Sequence, residues 1–145
     1  AANEPAITAD PATELADRFA PTPSIDLPAL EDLPPSAREI RLIDAISEGL
    51  GRAMERHSDL VLMGPDIAEY GGVFKVTDGF VDRFGKERVR NTPLCESAIV
   101  GAALGLSISG RKSMMEMQFS DFVTCGFNQI VNNLAKLHWR WGAQA

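Results

Sequence analysis

The chain is poor in the residues that would announce several common chemistries. Its two cysteines, Cys95 and Cys125, lie far apart in apolar contexts. Neither sits in a Cys-x-x-Cys pair, which argues against a disulfide framework, a thiolate metal site or a dithiol redox centre, and for a reduced, cytoplasmic setting. Cys95 has no histidine near it in sequence, so a thiol nucleophile lacks its base. The two histidines fall at the ends of expected helices. His138, with Lys136 and Arg140, fits the basic end that a helix dipole favours, and His57 reads as a solvated residue after a helix. There is no cluster of metal ligands, no Gly-x-Gly-x-x-Gly after a strand and no Walker loop. Long apolar runs are missing too. The longest, Ala98 to Ile108, is broken by glycine and serine and falls short of the ~20 residues that span a bilayer. The opening Ala-Ala-Asn-Glu-Pro lacks the basic and apolar regions of a signal peptide. Positive charge is scarce: 14 lysines and arginines against 20 acids leave a net charge of −6, which disfavours nucleic acid as a partner.

What remains suits one domain and a tail: 145 residues, 45% of them apolar. Residues 1–38 form a Pro-rich acidic linker or arm, holding seven of the nine prolines, with Arg18 and Arg38 as its only bases. Thr13 to Phe19 could form one helical turn, and Ile25, Leu27, Leu30 and Leu33 could lie extended on a partner. Residues 39–145 are globular. Leu42, Ala45, Ile46, Leu50, Ala53 and Met54 recur at helical spacing and predict a helix to about Arg56. Leu60 to Met63 reads as a buried parallel strand that ends at Gly64-Pro65-Asp66. The glycine pair Gly71-Gly72 marks a tight turn or a close approach to the backbone. Thr77 can cap a short helix through Phe84, and Arg88 to Asn91 is a short strand. Ser113 to Gln118 is another strand, with Glu116 and Gln118 on one face near its end. Ser120 or Asp121 then caps a long helix carrying Phe122, Val123, Phe127, Ile130, Val131, Leu134 and Leu137. Helices and strands thus alternate, which gives an α/β fold with a parallel sheet.

The stretch Asn91 to Gly105 stands out. It holds a single acid, Glu96, at the start of a helix rich in small and apolar residues, expected to be buried. Burial favours the neutral carboxyl and the helix N-terminus favours the ionised one. Spacing alone leaves two roles open: a carboxylate capping free helix amides, or a functional acid.

Four stretches occur in order: Arg38-Glu-Ile-Arg-Leu-Ile-Asp-Ala-Ile, Gly64-Pro-Asp-Ile-Ala-Glu-Tyr-Gly-Gly-Val-Phe-Lys-Val-Thr, Asn91-Thr-Pro-Leu-Cys-Glu and Glu116-Met-Gln-Phe-Ser-Asp-Phe. Together they resemble the β-subunit of the thiamine-diphosphate-dependent 2-oxo acid dehydrogenases, over residues 38 to 142. Asn-Thr-Pro-Leu-Cys-Glu and Tyr-Gly-Gly-Val-Phe are typical of the branched-chain (2-oxoisovalerate) type. The resemblance implies an incomplete three-layer domain of the transketolase pyrimidine-binding type. It implies thiamine diphosphate as cofactor, with Mg2+ held by a partner α-subunit or α-part. It further implies a lipoyl acyltransferase core and an α2β2-type assembly. Glu96 matches the catalytic glutamate, which bonds N1′ of the aminopyrimidine. Phe122 matches the aromatic residue stacked on that ring, and Gln118 and Leu94 match neighbours of the cofactor. Many relatives carry a proton-relay acid directly after the glycine matching Gly64. Pro65 stands here instead, so Asp66 must serve or the relay is absent. The family's β-subunit continues well past the equivalent of Ala145, so the chain resembles a fragment, inactive alone. Its Pro-rich start resembles the connector of fused α/β polypeptides. Acetoin-, pyruvate- and transketolase-type enzymes, or a non-catalytic assembly module, stand as alternatives.

Overall fold

In the computed structural model, which describes residues 3–6, 8–16, 18–26 and 38–142, the strand β1 (Val61–Gly64) is central and buried along its whole length. Its apolar side chains serve both faces, as alternation along a strand requires. Leu62, with Leu60 just before the strand, faces a core with Met54, Ile67, Ala68, Phe80 and Val89; Val61 and Met63 face Ile99, Ala103, Leu106 and Met115 on the other side. Two short strands flank it, β2 (Val89–Asn91) and β3 (Ser113–Met115), in the order β2-β1-β3. Both pair in parallel, with Leu62 opposite Val89 on one side and Met114 on the other.

Helices cover both faces. α2 (Leu42–Arg56) and α3 (Phe80–Phe84) supply the first core, and α4 (Glu96–Ile108) the second. The chain steps across the sheet one way from β1 to β2 and the other way from β2 to β3, so the two crossovers lie on opposite faces, as right-handed connections demand. The expected order of helices and strands is present, and the fold is α/β with three layers.

Several local expectations differ. The arm's helix, α1, is Pro11–Ala16 rather than Thr13 to Phe19. Asp10 accepts a hydrogen bond from the Ala12 amide at 3.0 Å, and Pro11 takes the first helical position, where its fixed φ suits the turn. The expected contacts of Leu27, Leu30 and Leu33 lie outside the described residues, while Ile25 is exposed. α2 buries Gly51 and Met54, but Leu42, its first residue, is 78% exposed. Thr77 does not cap α3. The helix starts after Gly79, and the Thr77 hydroxyl is buried and donates to the Ile67 carbonyl at 2.7 Å. β3 stops at Met115, short of Gln118. α4 buries only Ile99 and Val100, since one face packs on the sheet and Ala98, Ala102 and Gly105 lie exposed.

The long C-terminal α-helix is instead a broken one. A 3-10 segment, Ser120–Gly126, is followed by a π turn at Gln129–Asn133, a 3-10 turn at Leu134–Lys136 and a final helix, α5 (Leu137–Arg140). Phe119 precedes the first segment and offers no side-chain cap. Gly126 is buried against α4, where an added Cβ would meet Val100 Cγ2 at 3.0 Å and Met117 Cε at 3.4 Å.

Candidate functional site

The sequence of connections decides where a site can form. β1 leaves toward α3 on one face, and β3 leaves toward the segment that packs on α4 on the other. In open parallel sheets the crevice lies outside the strand ends where connections part in this way. Here that place is the end of β1 beside the end of β3.

Gly64 ends β1. An added Cβ there would sit 3.0 Å from Glu116 Cβ and 3.1 Å from Ile67 Cγ2, so a side chain would crowd the meeting of the two strand ends. The Glu116 amide donates to the Met63 carbonyl at 2.9 Å and carries the chain past β3. Its carboxyl then points at Gly72, whose hypothetical Cβ would lie 3.2 Å from Oε1. The two readings of the glycine pair are thus both realised, one at each residue. Gly71, at φ +79°, makes the tight turn against Asp78, and Gly72, at φ +77°, makes room for the carboxyl. No cation pairs with Glu116 among the described residues. Burial alone pushes its carboxyl above the ordinary range, because desolvation penalises the charged form. Glu116 and Gln118 line a cleft of about 280 Å³ together with Phe74, Thr77, Met115 and Met117.

The loop that forms one wall of this cleft is pinned at several points. Thr77 holds the Ile67 carbonyl and the Ser47 hydroxyl donates to the Val76 carbonyl at 2.7 Å. The Asn91 side chain accepts from the Ala68 amide at 2.8 Å and donates to Glu69 Oε2 at 2.9 Å. These pins hold a stretch in which Asp66 (φ +54°) and Lys75 (φ +59°) both adopt the left-handed conformation. Asp66 itself is exposed.

The four residues expected at the site fall in neighbouring places rather than in one cavity. Gln118 lines the cleft; Glu96, Leu94 and Phe122 do not. Glu96 is the first residue of α4 and half-buried. No side-chain hydrogen bond caps that helix, so the capping role left open by spacing finds no support. Leu94 is 74% exposed just ahead of it. Phe122 is half-buried on the 3-10 segment and packs edge-to-face on Phe119 at 5.4 Å, which packs in the same way on Phe74 at 5.6 Å. An aromatic row therefore runs from the cleft to the segment bearing Phe122. That segment rests on the first turn of α4, with Gly126 close to the Glu96 carbonyl.

A larger cavity of about 620 Å³ lies on the other side of β1, beside β2, and holds none of the four. Two of its arginines are engaged in structure: Arg88 with backbone carbonyls and Arg90 with Glu87.

Residues 38–143 match the family described as transketolase, pyrimidine binding domain. The chain belongs to this family. The chain is also similar in sequence to longer proteins. It is 42% identical over 118 residues to the 2-oxoisovalerate dehydrogenase subunit beta 2, mitochondrial, of Arabidopsis thaliana, covering 81% of this chain and 33% of that protein. It is 45% identical over 98 residues to the 2-oxoisovalerate dehydrogenase subunit beta of Bacillus subtilis, covering 68% and 30%. It is 40% identical over 110 residues to the pyruvate dehydrogenase E1 component subunit beta of Leifsonia xyli, covering 76% and 33%. The chain thus spans about a third of the length of the curated relatives it matches.

Asn91 and Thr77 are the residues of this pyrimidine-binding domain that sequence reasoning missed as site supports. Both act through contacts more than nine residues away, and no local pattern signals them.

Proposed function

We propose that this chain is the pyrimidine-binding part of a thiamine-diphosphate-dependent 2-oxo acid dehydrogenase, acting on branched-chain 2-oxo acids and passing the acyl group to lipoyl groups. The observation that carries the reading is the uncapped, half-buried Glu96 carboxyl at the head of α4, with the Phe122 segment packed on the same turn. This donor set fits an aminopyrimidine, which is flat, aromatic on both faces and basic at one ring nitrogen. Glu96 would hydrogen-bond N1′ and share a proton with the ring nitrogen. Phe122 would cover one face of the ring, and Leu94 and Gln118 would border it. Bound thiamine diphosphate supplies the carbon nucleophile that lets a 2-oxo acid lose carbon dioxide.

In this reading Mg2+ and the diphosphate are held by an α-part. A lipoyl acyltransferase core and an α2β2-type assembly complete the reading. Two exposed, unpaired cysteines agree with a reducing cytoplasm. Among the described residues no helix is long and apolar enough to cross a membrane. Relatives named for 2-oxoisovalerate and for pyruvate match at similar identity. The branched-chain choice therefore rests on Asn91-Thr-Pro-Leu-Cys-Glu96 and Tyr70-Gly-Gly-Val-Phe74.

The test is to assemble the full-length protein with its α-part and follow 2-oxo acid decarboxylation with an artificial electron acceptor. Glu96→Gln should lower kcat by about 10²-fold or more, the usual size of an acid–base contribution. A wild-type rate in that variant would overturn the mechanism. A higher kcat/KM on pyruvate than on 2-oxoisovalerate would move the substrate to the pyruvate type. Unchanged thiamine diphosphate binding in both Glu96→Gln and Phe122→Ala would leave an assembly module.

A further inference from the structure

Asn91 ends β2, opposite Gly64 at the end of β1. Two bonds made within two residues tie this strand end to the cleft wall. The Thr92 amide donates to the Gly64 carbonyl at 3.0 Å, and Asn91 Oδ1 accepts from the Ala68 amide at 2.8 Å. Ala68 is 3% exposed, so its amide has no ready replacement from water. On the same carboxamide, Nδ2 donates to Glu69 Oε2, and the other oxygen of Glu69 pairs with Lys86 Nζ at 2.7 Å. The Asp66 carbonyl, within the pinned turn, accepts from the Gly72 amide at 2.9 Å, and Gly72 is the residue that borders the Glu116 carboxyl. The strand that holds this loop runs directly into Thr92-Pro93-Leu94-Cys95-Glu96.

We propose that Asn91 is a positioning residue: its carboxamide latches the Gly64–Gly72 loop to the strand leading into Glu96, and so sets the cleft wall and the acid-bearing turn relative to each other. The inference rests on the thiamine reading for its ligand, but the latch itself can be tested without ligand. A carboxamide is required because one end must accept and the other donate. Asn91→Asp keeps the acceptor for Ala68 but sets a carboxylate against Glu69. Adding Glu69→Gln puts the donor on the opposite side and remakes the pair.

The experiment uses the assembled full-length enzyme and reads two quantities: the Kd for thiamine diphosphate, and amide hydrogen exchange from Ala68 to Gly72 in the cofactor-free protein. Asn91→Ala should raise Kd about tenfold, the upper end for one hydrogen bond, and speed exchange in that loop while α2 and α4 keep wild-type protection. Asn91→Asp should behave likewise, and N91D/E69Q should return both quantities to near wild type. Unchanged loop exchange in Asn91→Ala overturns the latch. So does a double variant no better than Asn91→Asp, or faster exchange spread equally over α2 and α4, which marks a general loss of stability. If the wild-type assembly does not bind thiamine diphosphate, the functional reading fails and the exchange data alone judge the latch.

Discussion

At the scale of single residues, the site is shaped by atoms that are missing as much as by those present. Gly71 and Gly85 both have positive φ, at +79° and +83°, but differ in their surroundings. A Cβ on Gly71 would come within 2.7 Å of Asp78 Cα, whereas one on Gly85 would meet nothing within 4 Å. Gly85→Ala should therefore cost only the backbone strain of its conformation, φ +83° with ψ 157°, a region essentially reserved for glycine, of about 1–3 kcal/mol. Gly71→Ala should cost clearly more, since backbone must move as well; urea unfolding of the two variants checks the ranking. Glu116 provides a pH dependence. Its folded pKa is raised by burial, so the folded state prefers the protonated acid. Its contribution is present in full below the unfolded carboxylate pKa and is lost as pH rises through the raised folded value. Glu116→Gln should therefore gain stability relative to wild type between about pH 4 and pH 7. Unfolding midpoints at the two pH values would show it; a constant difference would mean that the carboxyl is not desolvated.

At the scale of elements, one side chain joins three parts of the chain. Arg88, just before β2, donates to the carbonyls of Met54, His57 and Leu60 at 2.7, 2.6 and 3.0 Å. It closes the C-terminal end of α2, where free carbonyls need partners, and fixes the entry into β1. Its guanidinium also lies 5.5 Å from the Phe84 ring centre. Lysine offers a single nitrogen and cannot span these carbonyls. Arg88→Lys should lower the unfolding free energy by about 1–3 kcal/mol, through carbonyls left without a donor; chemical denaturation measures it. The C-terminal segment departs from its local preference. Its apolar spacing describes an α-helix. The segment instead begins in 3-10 form, and Gly126 at its end lets it approach Val100 closely. Further on, amide pairs such as Asn132 to Asn128 at 2.7 Å and Asn133 to Gln129 at 2.6 Å line the π turn.

At the scale of the whole molecule, local pattern and long-range arrangement carried different information. The alternation of helices and strands, and the isolation of Glu96 at a helix start, were legible because hydrophobic period and turn residues are local signals. The pyrimidine-binding family was legible because four ordered motifs carry it, and the family match over residues 38–143 bears it out. The strand order β2-β1-β3 was not legible, and from it follow the crevice between β1 and β3, the Glu116 carboxyl against Gly72 and the hold of Asn91 on Ala68. Thr77 was misread for the same reason. Its local context suits a cap, yet its hydroxyl bonds a carbonyl ten residues back, across a buried loop. Amino-acid order alone determined which elements form and which acid heads α4, since both depend on neighbours along the chain. Only the tertiary structure decided which side chains meet at the cleft, because strand order and register bring together residues that no sequence period relates.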